Sequence, residues 1–127
     1  MRHNLNPKPD YITMTTVITR FPLPANANPK EMSRAFENVA PAFRGVPGLL
    51  RKEFLLSADC RSAGGVYLWE SEAAARAFMQ ERVAPMIRKK FGVEPAIEFC
   101  DSPLIVENVQ PWRQPVKRAF GSTPTIL

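Results

Sequence analysis

The chain has 127 residues, 45% of them apolar and 23% charged, the balance of a globular protein with a single core. Its formal charge of +5 sits mainly at the ends, with Arg2, Lys8, Arg20 and Lys30 against Asp10 on one side and Arg113, Lys117 and Arg118 on the other. This argues against a nucleic-acid-binding body, whose basic face would lie on the fold itself, and no apolar run reaches the roughly 18 residues of a membrane span.

The opening stretch "MRHNLNPKPDYITM" lacks the apolar segment of a secretory signal, so a cytoplasmic location is expected. Cys60 and Cys100 belong to no CxxC pair, and His3 is the single histidine, so no zinc-type ligand set is present. Both cysteines are expected to be reduced thiols. A Ser-His or Cys-His dyad would have to recruit His3 from a proline-flanked end, and "GG" at 64–65 is no phosphate cradle.

Residues 11–21, "YITMTTVITRF", alternate threonine with Ile, Met and Val and predict a strand. After the connector "PLPANANP", Asn28 can cap a helix, Pro29 suits its first position, and Glu31 stands where a capping box wants an acid. Met32, Phe36, Val39 and Phe43 form the apolar stripe of a helix lying on a sheet, which Pro41 should kink or end. "LLRKEFLL", 49–56, reads as a second strand and "VYLWE" as a third, with the polar "SADCRSAGG" turning between them. Ser71 can cap the next helix, with Glu72 at the positive end of its dipole. That helix runs to about Arg82; Pro85 starts an offset segment over 85–91, and Gly92 closes it. A last strand is predicted over 94–109, interrupted near Pro103.

The order β-α-β-β-α-β predicts a ferredoxin-like α+β sandwich with its helices on one sheet face. The expected organisation is a tail over 1–10, one domain over 11–109, and a Pro-rich tail over 110–127 that contains Trp112 and Phe120. The other sheet face of a monomer should be polar. Here both parities are partly apolar: Leu50-Lys52-Phe54-Leu56 and Leu49-Arg51-Glu53-Leu55 in one strand, Tyr67-Trp69 and Val66-Leu68 in the next, Met14-Ile18 and Val17-Phe21 in the first. A homodimer joined through its sheet faces is therefore expected.

The run "GVPGLLRKEFLL", the strand "GGVYLWES" and the helix "EAAARAF" resemble the YdhR-type mono-oxygenases of the dimeric α+β barrel superfamily, over about residues 13–108. The resemblance implies two protomers forming a dimeric α+β barrel, with a small-molecule pocket between each sheet and its helices. Through the related antibiotic-biosynthesis mono-oxygenases it implies oxidation of a small aromatic or polycyclic phenol by molecular oxygen with no cofactor. Those relatives often carry a histidine on the helix after the tryptophan strand, where Phe78 stands here, and an asparagine shortly before the tryptophan, where Gly65 stands.

Such chemistry needs a deprotonated substrate, donors or cations to hold the anion, and dry aromatic walls. Trp69 and Tyr67 fit the wall: two apart on a strand, they face the same side, and each has a polar atom that could reach a substrate oxygen. They could equally be core aromatics tied to backbone. Lys52 breaks an apolar parity, and a buried amine there could act as base or hold a phenolate. Alternatively it reaches solvent, or pairs with Glu70 across the hairpin. Opposed residues in an antiparallel pair have a constant number sum. An even sum puts Lys52 on the face of Leu68 and Glu70, an odd sum on the face of Tyr67 and Trp69, and the turn residues do not choose between them.

Arg51 and Glu53, on the other parity, can pair along their strand or across a dimer interface. Phe36, Phe43 and Phe78 read as helix-to-sheet core, and any of them could also line the pocket. Two other functions compete: a non-catalytic homodimer that binds a small apolar ligand, and an RNA-binding module of the same element order. "AGGVYLWE" lacks the aromatic spacing of the latter. Haem degradation would want an iron-ligating histidine, and His3 lies in the tail. The expected partners are a second copy, a small aromatic substrate and oxygen, with neither nucleic acid nor membrane.

Overall fold

β-branched residues draw the first described segment into strand β1, Met14–Pro22. The computed structural model describes residues 13–108; the predicted tails, and with them His3, Trp112 and Phe120, lie outside the described residues. Helix α1, Pro29–Val39, begins as its sequence requires: Asn28 Oδ1 accepts the Glu31 N–H at 2.9 Å, and Pro29 takes the first position, where a missing N–H costs nothing. Pro41 has no N–H for an α-helical bond, so α1 stops at Val39 and a 3₁₀ turn, Ala40–Phe43, carries the buried Phe43 inward.

Strands β2, Leu49–Leu56, and β3, Ser62–Trp69, form the predicted hairpin, but β3 starts earlier than Val66. The turn is shorter because its polar residues close it from within. Ser57 Oγ accepts the Arg61 and Ser62 N–H groups, each at 3.0 Å, and donates to Asp59 Oδ1 at 2.8 Å. Cys60 takes the left-handed conformation there, at φ 59°. The glycine pair thus lies inside β3 rather than in the turn. A Cβ on Gly64 would overlap the carbonyl of Thr19 on the neighbouring strand, so the close approach of β1 and β3 needs glycine at that point.

Ser71 Oγ accepts the Ala74 N–H at 3.2 Å and starts helix α2, Glu72–Phe78. A wide π-helical turn, Met79–Val83, joins it to helix α3, Ala84–Phe91. The wide turn precedes Pro85, which cannot supply a helical N–H and whose ring would crowd the carbonyl one turn back. Gly92, at φ 70°, caps α3 through a 2.8 Å bond from its N–H to the Arg88 carbonyl. Strand β4 spans Ala96–Ser102, shorter than the predicted 94–109, because Pro103 cannot continue the ladder.

The strands form one antiparallel sheet in the order β2-β3-β1-β4, the ferredoxin-like α+β arrangement. Thr15, Val17, Thr19 and Phe21 of β1 and Tyr67 and Trp69 of β3 are buried beneath the helices. The opposite face carries Ile18 beside Val66, and Thr16 beside Leu68, with Arg51 and Glu53 on β2. Arg51 and Glu53 pair with each other along β2 at 2.7 Å. Among the described residues no helix is long and apolar enough to cross a membrane.

The register of the hairpin turns on one residue. Leu49 opposes Trp69, but Arg51 opposes Leu68, so Leu50 is bulged out of the ladder, 44% exposed. From Arg51 onward the number sum is odd, and Lys52 lies across from Tyr67. Had the Leu49–Trp69 register continued, Lys52 would have faced the helix-free side. The bulge therefore puts Lys52 under the helices.

Candidate active-site cavity

Between the sheet and helices α1 and α3 lies a cavity of about 50 Å³. Phe36 of α1, Phe43 of the 3₁₀ turn, Phe54 of β2 and Phe91 of α3 supply much of its wall, and the exposed Lys90 stands on its rim. Lys52, Tyr67 and Thr19 bring the polar atoms into this apolar setting. All three come from the helix-facing side of adjacent strands, which is why one cavity can collect them.

The Lys52 ammonium sits 3.8 Å from the ring centroid of Phe54, 4.3 Å from that of Tyr67 and 5.0 Å from that of Phe43. Its hydrogen-bond acceptor is the Glu53 carbonyl, at 3.4 Å. Among the described residues no carboxylate forms an ion pair with it, and the predicted alternative with Glu70 is not made. Ring faces attract a cation, but they replace water only in part. Burial pushes the Lys52 pKa from 10.5 down to about 7, against the opposing pull of the Glu53 carboxylate.

Tyr67 is 2% exposed. Burial raises its pKa to about 12, with a side-chain hydrogen bond to Thr19 acting in the other direction. At neutral pH the phenol therefore keeps its proton and can donate, while the lysine exchanges one readily. An exchangeable amine and a protonated phenol lining the same apolar cavity can take a proton from an acidic ligand and then hold the resulting anion.

Trp69 is placed differently from Lys52 and Tyr67. It is wholly buried, its ring tilted against that of Phe78 at 5.6 Å, and it lies outside the lining of the cavity. Among the described residues its indole Nε1 has no hydrogen-bond partner. Phe78, which also meets Phe43 at 6.0 Å, belongs to the same core rather than to the cavity wall.

Two contributors were not singled out as site residues from the sequence. Thr19 looked like one of several strand threonines, and only its burial against Tyr67 marks it. Gly65 leaves the room that Lys52 occupies, since a Cβ there would overlap Lys52 Nζ. The glycine pair was the visible signal, but what it admits depends on the register. Among the described residues no group of three His, Cys, Asp or Glu side chains could hold a metal ion.

Solved structures share this architecture. An NE2512 protein of unknown function from Nitrosomonas europaea matches with a TM-score of 0.61 at 13% identity, over 80% of this chain and 98% of that one. The ActVA-Orf6 monooxygenase of Streptomyces coelicolor, solved with the ligand nanaomycin D, matches at 0.56 and 22%, over 76% and 93%. The haem-degrading protein Rv3592 of Mycobacterium tuberculosis matches at 0.55 and 21%, over 77% and 100%. Likeness at these identities speaks for the fold alone. No curated protein matches the chain. The family model described as "Putative mono-oxygenase ydhR" matches residues 18–98. Running from within β1 to within β4, this match carries most of the sheet and the helices that enclose the cavity, and the chain belongs to that YdhR family.

Proposed function

We propose that the protein is a cofactor-independent mono-oxygenase acting on a small phenol, with Lys52 and Tyr67 in contact with the substrate. The carrying observation is an amine with no carboxylate ion-paired to it among the described residues, inside an aromatic cavity. Lys52 takes the phenolic proton and its ammonium then holds the phenolate. Tyr67 walls the ring and donates to a substrate oxygen, and Trp69 backs that wall from the core. The phenolate, an electron-rich donor, reacts with molecular oxygen: one oxygen atom enters the ring to give a quinone and the other leaves as water. The substrate supplies all the electrons, so no external reductant is needed.

The cavity volume of about 50 Å³ favours a single ring over a polycyclic one, given that one water needs roughly 10–15 Å³ by this kind of measure. A second copy of the chain covers the helix-free sheet face in this reading, because Ile18, Val66 and Leu68 there form an apolar strip across neighbouring strands.

The test is oxygen consumption by metal-stripped protein offered dihydroxybenzenes and dihydroxynaphthalenes without cofactor. Uptake that disappears in Lys52→Met supports the reading. A competing reading, a non-catalytic binder of small apolar ligands, is favoured by Phe78 standing where relatives carry a histidine. Binding of the same compounds without any uptake would establish that reading and end the first.

A further inference from the structure

We propose that Lys52 captures small apolar aldehydes and ketones as an imine inside the cavity. The inference shares its residue with the oxygenase reading but does not depend on it, since carbonyl capture needs neither oxygen nor a phenol.

The geometry carries it. An amine forms an imine only in its unprotonated state, and the dehydration is favoured where water is scarce. Lys52 is held among three aromatic rings within 5.0 Å, with a backbone carbonyl beside it and, among the described residues, no ion-paired carboxylate. The cavity in front of it is apolar and matches a ring or a short alkyl group. Lys89 and Lys90, on α3, are by contrast exposed to solvent. The downward shift of the Lys52 pKa adds to the contrast. The charged or titratable groups near it are the Glu53 carboxylate on its own strand, the Tyr67 hydroxyl on β3 and Lys90 on the rim.

In the reaction, the nitrogen lone pair attacks the carbonyl carbon and forms a C–N bond. The carbonyl oxygen takes both amine hydrogens and leaves as water, giving a neutral C=N group. Tyr67, which keeps its proton at neutral pH and whose ring centroid lies 4.3 Å from the Lys52 nitrogen, would lend a proton to the departing oxygen and take back the one the nitrogen gives up. Losing the positive charge suits an apolar site better than keeping it.

Benzaldehyde with cyanoborohydride at neutral pH tests this in the full-length chain, read by intact mass and peptide mapping. The expected result is one benzyl adduct, on the Lys52 peptide, forming more than about tenfold faster than adducts at Lys30, Lys89 or Lys90, as a depressed lysine pKa implies. Lys52→Arg, with its melting temperature checked, should abolish that adduct, and Lys89→Arg should not. Adducts spread over the exposed lysines without preference for Lys52 would overturn the proposal, as would oxygen uptake on phenols by a protein whose Lys52 never reacts. An adduct at Lys52 in a protein that shows no oxygen uptake supports capture and removes the oxygenase reading alone.

Discussion

Gly65 and Lys52 share one space: the missing Cβ of the glycine is where the lysine ammonium lies, on the neighbouring strand. The same Cβ would also stand 3.0 Å from the Glu53 carbonyl and 3.3 Å from Tyr67 Cε1. The ammonium is the movable member of this group, so a side chain at 65 should expel it toward solvent. Gly65→Ala is expected to cost about 1–3 kcal/mol of stability, as overpacking does. It should also return the Lys52 titration toward its ordinary range. Urea denaturation reads the first effect and the pH midpoint of Lys52 labelling the second.

The titration of Lys52 gives a pH-dependent stability of definite sign. Its pKa falls from 10.5 to about 7 on folding, so between those values the unfolded chain binds the proton that the folded chain has lost. Stability then rises with pH across that window, and the penalty is complete below it. Lys52→Met should remove this rise and be more stable than the wild type near neutrality, because it replaces a desolvated amine with an apolar chain of similar length. Urea midpoints at about pH 6 and about pH 9 for both proteins check the slope. Tyr67 contributes the opposite trend only at higher pH, where its unfolded phenol begins to ionise.

Trp69 separates architecture from chemistry. Truncation to alanine should cost about 3–5 kcal/mol, the range for a large buried aromatic. Trp69→Phe should cost less, since it also removes the unpartnered Nε1 donor. Phenol binding by Trp69→Phe should stay within about threefold of wild type, because the ring lies outside the cavity. Titration calorimetry with a single-ring phenol measures this, and loss of binding in a folded variant would put Trp69 in the site.

The helix-free face makes a prediction about assembly. Leu68 pairs with Thr16 of β1 there, and Ile18 pairs with Val66 in the adjoining row. Leu68→Glu should convert a dimer to a monomer at micromolar concentration while leaving the circular dichroism spectrum unchanged. Sedimentation velocity decides it, and a wild-type monomer under the same conditions would remove the second copy from the functional reading.

Much of the fold was legible because it is written in local signals. Asn28 with Pro29, and Ser71 with Glu72, mark helix starts through groups that bond within one turn of themselves. Pro41, Pro85 and Gly92 mark breaks for equally local reasons, and the alternation of "LLRKEFLL" gives a strand whose bounds agree with β2. The position of Lys52 within an apolar parity was visible in the same way.

Which face that parity takes was a tertiary decision. With a side-chain period of two, a single bulged residue, Leu50, exchanges the buried and open sides of everything after it. No propensity of Leu50 announces the bulge; the ladder with β3 defines it. The division between Tyr67, in the cavity wall, and Trp69, in the closed core, is likewise made by where the helices lie over two residues that the strand treats alike. The sequence by itself determined the elements and the residues able to do chemistry, because these depend on neighbours along the chain. Their meeting in one cavity depended on neighbours across it.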